Sequence, residues 1–323
     1  MPRTLVALAL ALTLAAPAAA QDWPTRPMTM VVAYAAGGPV DTIARIFGQR
    51  LSEVLGQQVV VENIGGAGGM VGAARVAKAT PDGYTFLFGG LSNLAQNQTL
   101  YKQPLYNAAT DFTPVALVTD SPRVLITRKD LPANSLPEFI AYAKANKDKM
   151  QYGSAGGGSG SHVCAILLDG AIGSRITHVP YRGAGPAMQD LIAGRLDYMC
   201  EQISTAVQQI DAGTVKGIAI LGPERVPVLP KLSSAKEAAL GDFDCGAWGA
   251  VVLPLKTPDA IVRKLAKASA EAIDTPSVRE RFATLGVTVV APERRSPEYL
   301  AKYIPAEIEK WAGPIKASGV SGE

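Results

Sequence analysis

The sequence predicts an α/β protein of two lobes that close on a cleft like a clamshell, each lobe a mainly parallel sheet flanked by helices. Three observations predict it. Strand-like and helix-like segments alternate in two successive blocks, the order that builds parallel sheets. The chain has 323 residues, more than one small core can bury and enough for two domains of ordinary size. After the second block it becomes mainly helical. Helices that return to the first block make the chain cross between the lobes more than once.

In the first block, "MTMVVAYAAGG" reads as a buried strand ending in glycines. The helix that follows carries Ile43, Ile46, Phe47, Leu51, Val54 and Leu55 on one face, a helical period. Pro39 suits its first position, Asp41 its first turn and Gly56 its C-terminal stop. "QQVVVEN" is a strand, "GMVGAARVAKA" a short helix and "GYTFLFGG" a strand. The second block repeats this grammar from "RVLITR" through "MQYGSAG", "RITHVPY" and "RLDYMC" to "VKGIAILG", each followed or preceded by a helix-like run. The last three helices open with Thr257-Pro258, Thr275-Pro276 and Ser296-Pro297. That pattern places a capping hydroxyl before proline at the first helical position. These helices are expected to pack back on the first lobe. The boundaries read as a leader over 1–20, a first lobe over 21–120 plus 245–323, and a second lobe over 121–244.

The leader is "MPRTLVALALALTLAAPAAA". Arg3 gives a positive start, Leu5 to Ala15 is apolar, and Ala18-Ala19-Ala20 offers a small-residue cleavage site, so cleavage is expected near Ala20. The apolar run is short for a bilayer span of about 20 residues. The net charge is +3 at pH 7, without a basic stripe, so nucleic-acid binding has no electrostatic footprint. Three cysteines, Cys164, Cys200 and Cys245, permit one disulfide in an oxidising compartment or three buried thiols. Neither the pair nor its existence follows from spacing. With His162 and His178 as the only histidines and no C-x-x-C, no closed zinc set is expected, and no cofactor.

Two strand-glycine-helix turns carry the chemistry, one in each lobe: "AYAAGGPVD" (33–41) and "YGSAGGGSGSH" (152–162). Helix N-termini there present unpaired N–H groups and a partial positive charge. Glycines let a ligand approach the backbone, and Ser154, Ser159 and Ser161 add hydroxyls. The bland alternative is a pair of tight turns with serine caps. Gly153 and Gly158 have P-loop spacing, yet Ser159 stands where that motif needs lysine, so a nucleotide phosphate is not expected. "GGAGGMVG" (65–72) fails the dinucleotide fingerprint, because its third glycine position falls on Val71. Gly-x-Ser-x-Gly fails at every serine of the second loop, which argues against a hydrolase, and the chain is read as not an enzyme. Glu201 follows a predicted strand and could face the cleft, accepting from a ligand or excluding a second anion. Arg182 is the best-placed cation. Tyr34 and Trp248 are candidates for its walls, with core packing the default for Trp248.

The long opening run from "WPTRPMTMVVAYAAGGPVD" to "GYTFLFGG" resembles the substrate-binding proteins of tripartite tricarboxylate transporters, also called the Bug or TctC family. "YGSAGGGSGSH", "THVPYRGAGPAMQDLIAGRLDYM", "AGTVKGIAIL", "WGAVVLPLKTPDAIVRKL" and "EIEKWAGPIKASGV" match further family segments in order. The resemblance covers nearly all of the chain beyond the leader. It implies a periplasmic binding protein of the type II-like, Venus flytrap kind. Such a protein is monomeric, takes a small carboxylate, and hands it to one small and one large integral-membrane subunit. A dicarboxylate leads among the ligands, and aromatic acids lie within the family's range. Carried over by motif, the site is Tyr34, Ala36, Gly37 and Gly38, then Ser92 and Asn93, on the first lobe. On the second it is Ser154, Ser159, Gly160, His162, Arg182, Ala184 and Glu201. Relatives hold the carboxylate with loops and water, with little help from fixed charge. Glu201 stands where aspartate is commoner, and Arg182 where lysine is. A receptor that presents its ligand to a sensor kinase, and a secreted serine hydrolase, are the rival functions.

Overall fold

The apolar run Met28–Val32 (β1) opens the fold. Met28, Met30, Val31 and Val32 are all buried, as in a strand covered on both faces. The structure is a computed structural model that describes residues 23–238 and 240–319; the expected leader lies outside them. Helix α1 (Pro39–Leu55) follows as its signals predict. Pro39 begins it, the Asp41 carboxylate accepts from the Gly37 N–H at 3.0 Å, and Gly56 ends it at φ 67°. Strand β2 (Val59–Asn63), α2 (Met70–Ala77) and β3 (Thr85–Gly90) complete a β-α-β-α-β unit. A wide, π-helical turn over 92–96 and α3 (Asn97–Leu100) lead to β4 (Phe112–Ser121).

Pro122 alone separates β4 from β5 (Arg123–Arg128), where the chain enters the second lobe. There α4 (Leu136–Asn146), β6 (Gln151–Ser154), α5 (Gly160–Ile172), β7 (Thr177–Pro180), α6 (Ala184–Ile192), β8 (Tyr198–Gln202), α7 (Ile203–Asp211) and β9 (Val215–Ile220) follow in turn. The chain returns in β10 (Ala247–Pro254) and ends with α8 (Asp259–Asp274), α9 (Pro276–Thr284), β11 (Thr288–Val289) and α10 (Pro297–Ala317).

The first sheet has the order β11-β4-β10-β3-β1-β2, and the second β7-β6-β8-β5-β9. Both are mixed rather than mainly parallel. Pairs β1–β2, β1–β3, β6–β7 and β6–β8 are parallel, whereas β10 runs against β3 and β4, and β5 against β8 and β9. The reason lies in the crossings. Parallel neighbours arise where a helix carries the chain back over the sheet. Strands β5 and β10 instead arrive from the other lobe, and each runs antiparallel to both of its neighbours in the sheet it enters.

Two apolar clusters, one on each face, run through both lobes. Leu87, Leu117, Leu125 and Tyr198 belong to one, and Phe88, Val118, Val124 and Met199 to the other. Neighbours in one strand point to opposite faces. Helix α8 packs on β4 and α1, and α9 on α1 and α8. Helix α10 lies on β4, α3 and the 92–96 turn, and also touches α5 of the second lobe. The proline-led starts differ in detail. Ser296 caps α10, its Oγ accepting from the Tyr299 N–H at 3.0 Å. Thr275 makes no side-chain cap, and Thr257 donates to the Pro254 carbonyl because Pro258 is itself the cap residue. Among the described residues no helix is long and apolar enough to cross a membrane.

Candidate functional site

The carboxyl ends of β3, β4 and β8 and the amino ends of the antiparallel β5 and β10 meet at one cleft, and open α/β sheets take ligands at carboxyl ends of their strands. The cavity there is lined by the starts of four helices: Pro39 and Val40 of α1, Gly160 and Ser161 of α5, Ala184 of α6, and Gln202 before α7. The first turn of each helix leaves N–H groups without intrahelical partners, and the dipoles add positive potential. Tyr34, Phe88, Ser92 and Trp248 form walls, and Arg123, Ser121 and Glu201 supply further polar surface. The cavity leaves about 50 Å³ for the centres of water molecules.

Of the residues expected at the site, Tyr34, Gly38, Ser92, Ser159, Gly160, Ala184 and Glu201 lie on the cavity wall. The others lie off it. Ala36 and Gly37 are exposed, and their backbone lies beside Gly185 of the second lobe. Asn93 turns into its own lobe, its Oδ1 accepting from the Gly90 N–H at 2.9 Å. Ser154 is fully buried, and its hydroxyl lies 2.6 Å from His178 Nε2 while accepting from the Gly156 N–H. His162 Nδ1 accepts from the Gly158 N–H at 3.1 Å, so the imidazole serves the loop from behind. These side chains hold the loop in shape. Ser159 caps α5, its Oγ accepting from the His162 N–H at 3.3 Å, and Ser161 Oγ accepts from the Ala155 N–H at 3.0 Å.

Arg182 is exposed. Its contribution is a backbone carbonyl that accepts from the Ala35 N–H across the cleft at 3.3 Å. The cation in the cavity is Arg123, which sequence reading assigned only to a strand. Its side chain is 4% exposed and its Nε donates to the Cys245 carbonyl at 3.0 Å. Burial lowers its pKa, and Glu201, Cys200 and Tyr34 partly offset that. The available signal was positional: an arginine opens an otherwise apolar strand, one residue after the proline of the crossing.

Glu201 is 1% exposed. Its Oε1 accepts from Thr205 Oγ1 at 2.9 Å. Burial raises its pKa to about 7, against the lowering influence of Arg123 and of hydrogen bonds from Thr205 and Gln202. Burial likewise lowers His162 to about 3, helped by His178, and His178 to about 4. No imidazole bonds Ser159 or Ser161 among the described residues, and Ser154, the serine that His178 meets, is off the cavity. Among the described residues no group of three His, Cys, Asp or Glu is placed to hold a metal ion.

The lobes are closed on each other, and at the facing loops backbone meets backbone. A Cβ on Gly68 would sit 2.5 Å from the Gly157 carbonyl oxygen, and one on Gly65 would sit 2.6 Å from that of Arg182. Tyr101 donates its hydroxyl to the Gly157 carbonyl at 2.8 Å. The glycine cluster that fails as a dinucleotide fingerprint is therefore a closing surface. Behind the site, a disulfide joins Cys164 of α5 to Cys245, while Cys200 is a buried free thiol.

The chain matches the family described as the Tripartite tricarboxylate transporter family receptor over residues 43–320. It is 43% identical over 303 residues to a UPF0065 protein encoded in the TAR-I ttuE-ttuC' intergenic region of Agrobacterium vitis, covering 94% of this chain and 87% of that one. Among solved structures it is similar to MatC from Rhodopseudomonas palustris with bound malate. The identity is 41% and the TM-score 0.88, with 91% of this chain and 100% of that one covered. It is also similar to the periplasmic binding protein BugD, at 39% identity and a TM-score of 0.91, with 93% and 100% covered.

Proposed function

The chain belongs to the tripartite tricarboxylate transporter receptor family, and from that premise we propose that it captures a small aliphatic dicarboxylate in the interlobe cleft and delivers it to membrane subunits of such a transporter. It works in the periplasm as a monomer and not as an enzyme. Its lobes are residues 21–120 with 245–323, and residues 121–244. The membrane partners are one small and one large subunit.

The observation that carries this reading is the convergence of four helix N-termini and the buried Arg123 on one small cavity. Such a surface favours anions. The small space left in the closed cleft favours a short aliphatic acid over an aromatic one. A similar protein, MatC, is described with bound malate, which has two carboxylates. The ligand touches both lobes and so stabilises the closed form that a membrane partner would read.

The test is a thermal-shift panel of malate, succinate, adipate, benzoate, inorganic phosphate and glucose. A bound ligand raises the melting temperature once its concentration passes its dissociation constant. Short dicarboxylates are expected to give the largest shifts. Shifts by phosphate or glucose with none by any acid would sink the proposal. Mass spectrometry of acid co-purified with the protein would identify the native ligand.

A further inference from the structure

Glu201 and Arg123 line the same cavity, both almost fully buried. A buried carboxylate and a buried guanidinium so placed would be natural partners, yet among the described residues no ion pair joins them. Arg123 Nε is committed to the Cys245 carbonyl. Glu201 Oε1 is committed to Thr205, and its buried Oε2 has no hydrogen-bond partner. A buried polar atom without a partner is costly, and a buried unpaired charge more so. In a cavity built for anions, an ionised Glu201 would also cancel the field of Arg123 and repel a second carboxylate.

We propose that Glu201 is a specificity-determining residue that binds one carboxylate of a dicarboxylate as a neutral carboxylic acid, donating from Oε2, so that capture of the dianion takes up one proton. This rests on the reading of the cleft as a dicarboxylate site. The proton comes from solvent and ends between Oε2 and a ligand oxygen. Oε1 keeps its bond from Thr205, and Arg123 keeps its charge for the ligand. The titratable and charged groups around Glu201 are few. They are Arg123 on β5, Cys200 on its own strand and, acting through Arg123, Tyr34. The Cys200 thiol is pushed far up by burial and stays neutral. With Glu201 raised to about 7, the proton is already present below neutral pH and is taken up on binding above it. Aspartate, one methylene shorter, would not reach as far into the cavity.

The test is calorimetric titration of the whole protein with malate between pH 6.5 and 8.5, where malate is a dianion, in buffers of different ionisation heat. Near pH 8.5 the uptake is expected to approach one proton per malate. The dissociation constant is expected to rise about tenfold per pH unit above 7. Butyrate, with a single carboxylate, is expected to take up none. In Glu201→Gln, which keeps a donor but cannot titrate, the pH dependence disappears. Malate binding with a flat pH profile and no proton uptake would overturn the role of Glu201 while leaving the carboxylate receptor intact. Failure of every dicarboxylate to bind would overturn the receptor reading and this role with it.

Discussion

The imidazoles of His162 and His178 stack face to face with their ring centroids 4.0 Å apart, directly behind the loop that offers Gly160 and Ser161 to the cavity. His162 accepts from the Gly158 N–H and His178 bonds Ser154, so both rings brace the loop. Two stacked rings cannot both be charged without repelling each other, and burial already disfavours the charge.

From this follows a pH dependence with a defined sign. Both folded pKa values lie below the ordinary value of 6.5, at about 3 and about 4. The unfolded chain therefore binds protons that the folded one refuses. The stability they contribute is complete above about pH 6.5 and is lost as pH falls through 4 and 3. NMR of the two histidines is expected to show neither imidazole titrating between pH 5 and 8. A midpoint near 6.5 for either ring would refute the brace.

Removing the buried cation should abolish capture. Arg123→Met is expected to weaken malate binding by about 100-fold or more, the usual scale for one member of a buried charged contact. Arg182→Ala should change it little, because only the Arg182 carbonyl meets the other lobe. Calorimetry on both variants, with circular dichroism to confirm folding, checks the contrast. Equal effects would mean that the cation in the cavity has been misassigned.

The glycines of the second loop are not equivalent. A Cβ on Gly157 meets nothing within 4 Å, whereas one on Gly158 would meet Tyr101 at 2.7 Å and impose a side chain at φ +79°. Gly157→Ala should bind malate as the native protein does, and Gly158→Ala about tenfold or more weaker, a cost on the order of 1–3 kcal/mol of backbone strain and clash. Gly68→Ala, whose Cβ would press on the opposite loop's backbone from φ +58°, should also weaken binding by holding the lobes apart. Small-angle scattering with saturating malate would show that variant less compact than the native protein.

Reduction of the disulfide should lower stability. The Cys164–Cys245 bridge closes a loop with a sequence separation of 81, and a bridge of that span typically contributes about 2–4 kcal/mol. Urea unfolding with and without reductant, and of Cys164→Ser with Cys245→Ser, is expected to show a loss of that size. Cys200→Ser should leave the reductant effect in place.

The β-α grammar was legible because period-2 and period-3.6 patterns are local, and so was the leader's composition. The antiparallel insertion of β5 and β10 was not, because strand neighbours across a crossing leave no local trace. At the site, Gly38, Ser159 and Glu201 could be placed because each stands at a strand end or a helix start. Ser154, Asn93 and His162 belong to the same motifs yet serve the loops, since sequence does not show which way a loop side chain turns. Arg123 was hidden because an arginine beginning a strand is ordinarily a surface residue. Burial at the crossing is a tertiary property. The choice between Cys164, Cys200 and Cys245 likewise depended on α5 lying beside the return crossing.

The meeting of Gly65 and Gly68 with the Arg182 and Gly157 carbonyls makes closure and selectivity separable. At these loops the lobes meet through main-chain atoms, whereas the cavity proposed for the ligand is lined by side chains such as Arg123, Glu201 and Ser92. A substitution at the cavity wall leaves the docking surface unchanged. One clasp can thus accompany a wide range of pockets, and a change of diet requires no new way of shutting.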